Sequence, residues 1–136
     1  MLLQTLVPPI LYILLFYAVT VGLTLLIETP VIVRSGITDR KPYIRGVNVV
    51  TNVLMNVVLT LILFLRTLVL NEEIINFIGI VWFVLAELVL IPVAEAHAYR
   101  KISDAGTKRI FLFTYLANLA SCAAGILLDA LIRSLF

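Results

Sequence analysis

Four long apolar segments constrain this chain more than any other feature of its sequence. They run from Pro8 to Val33, from Gly46 to Leu70, from Ile74 to Tyr99 and from Thr107 to Leu131. Each is long enough to cross the roughly 30 Å hydrocarbon core of a bilayer as a helix that rises about 1.5 Å per residue. They are too long and too continuously apolar for the alternating strands of an outer-membrane barrel. The sequence therefore predicts an all-α fold, one domain spanning residues 1–136 as a polytopic membrane protein with four transmembrane helices.

The composition also favours a lipid environment. Of the 136 residues, 62% are hydrophobic and only 13% are charged, which leaves too few polar residues to cover a soluble domain of this length. The net charge of +2 is small, so we expect no nucleic-acid partner. A single cysteine, Cys122, excludes an internal disulfide and a multi-cysteine metal cluster. GxGxxG, P-loop and HExxH motifs are absent, which removes the sequence support for common soluble enzyme classes.

The basic residues predict an orientation. Eight flank or occupy the first and third links, at Arg34, Arg40, Lys41, Arg45, Arg100, Lys101, Lys108 and Arg109. Only Arg66 and Arg133 stand at the opposite ends of the helices. Because cytoplasmic loops carry the excess of Lys and Arg, we expect an inner (plasma) membrane protein with both termini outside the cytoplasm. The short links favour antiparallel neighbours, arranged as two hairpins.

Several polar side chains fall inside the predicted spans. Glu28 and Glu95 lie six and five residues before a link arginine, so each is about 7–9 Å deep. Asn52 and Asn118 lie at similar depth on the second and fourth segments, and Glu87 is deeper. Ionisable groups cost several kcal/mol near the bilayer centre and mark functional sites by default. The predicted substrate- or ion-binding residues are Glu28, Glu95, Asn52, Asn118, Glu87 and Asn56.

Helical spacing groups the polar residues into stripes. The first segment carries Tyr17, Thr20, Thr24 and Glu28; the second carries Asn48, Asn52 and Asn56; the fourth carries Tyr115, Asn118, Cys122, Gly125 and Asp129. These faces would be costly against lipid, so we expect them to meet inside the bundle. Asn and Thr side chains also simply hold transmembrane helices together, and that structural reading stays open.

The two hairpins share a spacing that suggests a parallel internal repeat. Asn52 follows Arg34 by 18 residues, and Asn118 follows Arg100 by 18. A repeat would bring both glutamates and both asparagines around one axis, facing a polar cavity open to the cytoplasm. An apolar background of low complexity also produces such matches by chance.

The chemistry of this set supports three ligands. Carboxylates, carboxamides and carbonyls freed by Pro30 and Pro92 form an all-oxygen set that suits a divalent cation as cofactor, with Glu28 and Glu95 as metal ligands. Buried carboxyls also bind and release protons in coupled transport. A cationic organic solute is the third option, with Tyr17, Tyr99 and Tyr115 as aromatic contacts.

Two other functional classes remain. A non-catalytic scaffold or accessory subunit would use the small residues of "NLASCAAG" to pack against another helix. An intramembrane enzyme has less support, because His97 lies about 200° around the helix from Glu95 and the two cannot easily share an ion. The expected partners are the lipid bilayer and a second copy or another membrane subunit, since a monomer of this size has little room for a transport pathway.

Overall fold

The computed structural model describes residues 9–65 and 72–135, and the regular secondary structure of that part of the chain is helical. The elements are α1 (Pro9–Arg34), α2 (Lys41–Leu65), α3 (Glu72–Leu85), a π-helical turn (Ala86–Leu90), α4 (Ile91–Arg100) and α5 (Thr107–Leu135). The middle three follow one another without a break and form one third span. Four helical segments are long and apolar enough to cross a membrane, which confirms the predicted all-α class at that level.

The helix bounds differ from the apolar segments mainly at the polar ends. Helix α2 begins at Lys41, five residues before Gly46, because Pro42 in the first turn has no N–H that an intrahelical bond would need. Helix α5 begins at Thr107, as predicted, and continues past Leu131 to Leu135. Residue 8 and residues 66–70, which the predicted segments include, lie outside the described residues.

The third span is not the uniform helix that its apolar run predicts. At the π-helical turn, the N–H of Ile91 donates to the carbonyl of Ala86, five residues back. Pro92 follows directly and lacks the N–H that a regular helix would use. Such turns occur mostly as single widenings inside α-helices, often at functional sites. Glu87 lies within this one.

The two links lie at the same end of the bundle, which we call the link end (residues 35–40 and 101–106). The Ser103 hydroxyl donates to the carbonyl of Ile37 at 2.5 Å and so ties one link to the other. Gly36, with φ of 67°, takes the left-handed conformation that terminates α1. A closed apolar core lies directly beneath; its buried members are Ile32, Ile37, Ile44, Ala96, Tyr99, Ile110 and Ala117.

Farther along the bundle the buried positions become polar and the exposed ones apolar. Glu28 and Glu95 are each 1% exposed, and Asn48 is fully buried. By contrast, Leu26 is 75% exposed and Leu127 is 71% exposed. A soluble domain shows the reverse, since charged residues are almost never fully buried there. Helices α1 and α4 each pack on both α2 and α5. All four spans contribute buried polar side chains to this interior.

We expect Tyr99→Phe to lower the free energy of unfolding by about 1–3 kcal/mol. The Tyr99 hydroxyl, inside the core at the link end, donates to Asn48 Oδ1 at 2.5 Å, and its loss leaves that buried amide oxygen without this donor. Unfolding of the purified protein in mixed detergent measures the change. The matched control is Tyr115→Phe, since Tyr115 is exposed and should tolerate the change. Equal effects of the two substitutions would contradict the assignment.

Candidate cation-binding site

Glu95 is held by hydrogen-bond donors from two other helices. The hydroxyl of Thr51 on α2 donates to Oε1 at 2.7 Å, and the amide of Asn118 on α5 donates to Oε2 at 2.7 Å. Both carboxyl oxygens therefore have a partner, which is the arrangement that a buried carboxylate requires. The bonds also fix the side chain between α2, α4 and α5.

Glu28 on α1 is less well satisfied. Its Oε1 accepts a hydrogen bond from the hydroxyl of Ser121 on α5. Its Oε2 is buried and has no hydrogen-bond partner among the described residues. A buried polar atom without a partner costs about 1–3 kcal/mol, and more when it carries charge. A proton or another cation on this oxygen would remove the cost.

The two glutamates form a pair, because they lie close enough to interact electrostatically inside the bundle. Helix α5 connects them: Asn118 bonds Glu95 and Ser121 bonds Glu28, and residues three apart on a helix lie on one face. Two like charges in a poorly solvated place repel strongly, so the pair is suited to hold one positive charge between its members.

Asn52, one of the predicted site residues, forms its hydrogen bonds away from the glutamate pair. Its amide donates to the carbonyl of Asn48 at 3.0 Å, and its Oδ1 accepts a long bond from Thr24 at 3.5 Å. Asn52 thus joins α1 to α2, and within the described residues its bonds go to neither glutamate. Glu95 bonds Asn118 whereas Glu28 bonds Ser121, so the hydrogen bonds around the pair do not follow the twofold pattern that the repeat would produce.

A cavity of about 310 Å³ lies beside the pair and is lined by all four spans. Its polar lining consists of Thr20, Thr24, Asn52, Asn56, Glu87, Ser121 and Cys122, and its apolar lining includes Leu23, Met55, Leu59, Phe83 and Ile126. Three predicted site residues therefore line it directly. Neither Glu28 nor Glu95 lines it; Glu28 is connected to it through Ser121, which lines the cavity and bonds Glu28.

The cavity lies on the side of the pair that is remote from the links. On α1, Thr24 is the lining residue nearest to the link end, and it is ten residues, or about 15 Å, from Arg34. Glu28 lies between it and the closed apolar core. The sequence predicts that the pair faces a polar cavity open to the cytoplasm, whereas the cavity beside the pair lies away from the links, because buried isoleucines and Tyr99 pack between the pair and the link end. A separate polar depression of about 430 Å³ lies at the link end itself, lined by residues of both links.

The inward face of α5 differs by one position from the predicted stripe. Thr114, Asn118 and Ser121 are buried, whereas Tyr115, which the stripe includes, is 42% exposed. The side chain of Asp129 lies outside those described. Ser121 is three residues from Asn118, so helical spacing alone could have identified it. The sequence did not predict Thr51 and Ser121 as donors, because Thr and Ser hydroxyls also occur in many ordinary contacts within and between transmembrane helices.

His97 is not part of this site, and the described side chains form no metal-binding cluster there. His97 is exposed, with Nδ1 3.1 Å from the carbonyl of Val93 and its ring edge-on to Phe111. Among residues 9–65 and 72–135 there is no group of three His, Cys, Asp or Glu side chains that could hold a metal ion. A divalent ion would have to rely on the glutamate pair together with neutral amide and hydroxyl oxygens.

Comparison of the chain with protein-family models, with curated proteins and with solved structures gave no match.

We expect Glu95 and Asn118 to be energetically coupled by about 0.6–2 kcal/mol, the range for hydrogen bonds between transmembrane helices. A double-mutant cycle of Glu95→Ala and Asn118→Ala, measured by unfolding in detergent, gives this value. The control cycle pairs Asn118→Ala with Glu73→Ala, since Glu73 is exposed on α3. Additive effects in the first cycle would show that the 2.7 Å contact contributes nothing to stability.

Proposed function

We propose that this chain is a polytopic membrane protein that binds a cation at the Glu28–Glu95 pair and moves it, coupled to protons, across the bilayer. The observation that carries the proposal is the unpartnered, buried Oε2 of Glu28 beside a second buried carboxyl. The cargo is a cation or a small cationic solute. The membrane is the inner (plasma) membrane, and the four spans form two antiparallel hairpins with both termini outside the cytoplasm.

The distribution of side chains supports the membrane part of the proposal. Apolar residues such as Leu26, Phe77 and Leu127 face outward along four helices of spanning length. An exposed apolar surface of that extent is unfavourable in water and suits hydrocarbon. The polar residues turn inward, where helices bond one another in place of lipid.

The charge balance supports cation binding. The titratable groups that interact with Glu28 are acidic or neutral: Glu95 from α4, Glu87 from the π-helical turn, and Tyr99 near the link end. Every basic side chain that the structure describes is exposed near the link end, and Arg66 and Arg133 lie outside those described. The described protein thus supplies no internal counter-charge, so the positive charge must come from a proton or a bound cation.

The residues have distinct roles in this proposal. Glu28 takes the proton or cation, since one of its oxygens is free to bind it. Glu95, fixed by Thr51 and Asn118, supplies a constant negative charge nearby. The cavity, with Glu87, Asn52 and Asn56 on its walls, forms the approach from the side remote from the links. A second copy or another membrane subunit completes the pathway through the bilayer.

The alternative is a scaffold or accessory subunit, and one observation favours it. Both oxygens of Glu95 are satisfied by the chain's own donors, which is what a purely structural interhelical contact would look like. The two functions differ in their response to the neutral variants Glu28→Gln and Glu95→Gln.

We expect either variant to abolish cation-driven proton movement while the protein stays folded. Proteoliposomes would contain the pH-sensitive dye pyranine, and Mg²⁺, Mn²⁺ and organic ammonium ions would be added outside, one at a time. At least one cation should change the internal pH with wild type. With either variant the rate should fall to that of protein-free liposomes, because the charge that binds cargo or proton is gone.

Glu73→Gln is the matched control, since it makes the same chemical change at an exposed position of α3 and should keep the wild-type rate. Melting curves in detergent check that each variant is folded. A fall in the wild-type melting temperature on treatment with EDTA would show that the folded protein holds a divalent cation, and no change would favour a proton or an organic cation. No response to any cation with wild type, or unaltered transport by Glu28→Gln, would reject the proposal in favour of a scaffold.

We expect the orientation to follow the basic residues. A C-terminal alkaline phosphatase fusion, which is active only outside the cytoplasm, should be active, and a C-terminal green fluorescent protein fusion should be dark. Fusions after Gly36 and Gly106, at the link end, should give the opposite pattern. Active phosphatase at the link-end positions would invert the topology and reverse the side from which the cavity is entered.

A further inference from the structure

We infer that the 310 Å³ cavity is a recognition site for an organic ammonium ion with a small apolar body, and that Glu87 binds its charged group. The inference rests on the proposed function, which it deepens by naming the chemical class of the cargo. It depends on the shape and lining of the cavity and not on the glutamate pair itself.

The position of Glu87 favours a cationic ligand. It is the one carboxylate among the described residues that line the cavity, it is half-buried, and those residues give it no hydrogen-bond donor. A carboxylate in an apolar-walled space needs a cationic or hydrogen-bonding partner. An ammonium group supplies both the charge and the donors.

The rest of the lining favours an organic cation over an inorganic one. Phe83 lies one turn before Glu87 in the third span and offers an aromatic ring close to where the cation would sit. Met55, Leu59 and Ile126 form apolar walls, which an inorganic ion would not use. Mixed linings with few polar groups are typical of sites for small organic molecules.

The size of the cavity limits the cargo. A cavity of about 150 Å³ accommodates benzene. The present volume of about 310 Å³ is twice that, so it admits an aromatic or alkyl group of comparable size together with an ammonium group and one or two waters. Benzylammonium has this size and charge, and benzyl alcohol is a neutral molecule of nearly the same shape.

A cargo in the cavity would also contact the coupling site. Ser121 faces the cavity and at the same time donates its hydroxyl to Glu28. An ammonium group bound near Ser121 would donate to the hydroxyl oxygen while the hydroxyl still donates to Glu28, and its positive charge would favour the charged form of that carboxyl. The arrangement therefore links occupancy of the cavity to the state of the carboxyl pair, which a coupled transporter requires.

Cys122 makes the inference testable, because the sequence has one cysteine and it lines the cavity. Labelling of the detergent-purified protein with methyl methanethiosulfonate, a small neutral reagent, would be followed by mass spectrometry. Benzylammonium should slow labelling severalfold in wild type, and benzyl alcohol at equal concentration should have little effect. The concentration of benzylammonium needed for protection should rise roughly tenfold or more in Glu87→Gln, because the ion pair is lost.

Two variants control for folding and for position. Glu87→Asp keeps the charge and should keep most of the protection, whereas Glu73→Gln should behave as wild type. Equal protection by benzyl alcohol would identify a merely apolar cavity and overturn the inference. Unchanged protection in a folded Glu87→Gln protein, or no labelling of folded wild type at all, would overturn it too.

The two proposals can fail separately. Proton movement that depends on Glu28 but is driven only by Mg²⁺ or Mn²⁺, without protection of Cys122 by benzylammonium, would retain the function and reject this cargo. Protection that depends on Glu87, with transport that ignores Glu28→Gln, would retain the binding site and reject the carboxyl pair as the coupling site.

Discussion

The repulsion between two buried carboxyl groups is the constraint on which the rest of this structure depends. Glu28 and Glu95 are each about as buried as the isoleucines beside them, and no described basic side chain lies near enough to neutralise either. The surrounding helices respond with hydroxyl and amide donors from α2 and α5. These donors satisfy three of the four carboxyl oxygens. The fourth, Glu28 Oε2, has no hydrogen-bond partner among the described residues.

The regions on either side of the pair differ in kind. Toward the links the interior is a packed apolar core that includes Ile32, Ile44, Ile110 and Tyr99. On the other side the helices separate around a cavity with mixed lining. A transporter must give its central site access to one side of the membrane at a time. In the proposed transporter, this arrangement would be the state with access from the side remote from the links, and the apolar core would be the closed barrier.

The sequence predicts the helices well because apolar length is a property of each segment alone. It also predicts that Glu28, Glu95 and Asn118 lie inside the spans, since ionisable or amide groups stand out in an apolar run, and the structure buries all three. The pairing of Ser121 with Glu28 is different: it depends on the rotation of α5 relative to α1, and an error of one residue, as between Thr114 and Tyr115, moves a side chain about 100° around the helix. The closed link end was not predictable either, because it depends on how Ile37 and Tyr99 pack after the helices assemble.

The π-helical turn changes the angular relation between the two acidic residues of the third span. In an uninterrupted α-helix, eight residues correspond to about 800°, so Glu87 and Glu95 would point about 80° apart. The turn contains one extra residue, so the pair behaves as if separated by seven, about 700°, and returns to within about 20° of the same face. By this count, one inserted residue brings Glu87 and Glu95 to nearly the same face of the third span. The alignment depends on the number of residues in the turn. Substitutions that keep the turn would preserve the alignment of Glu87 with Glu95, whereas an insertion or deletion would remove it.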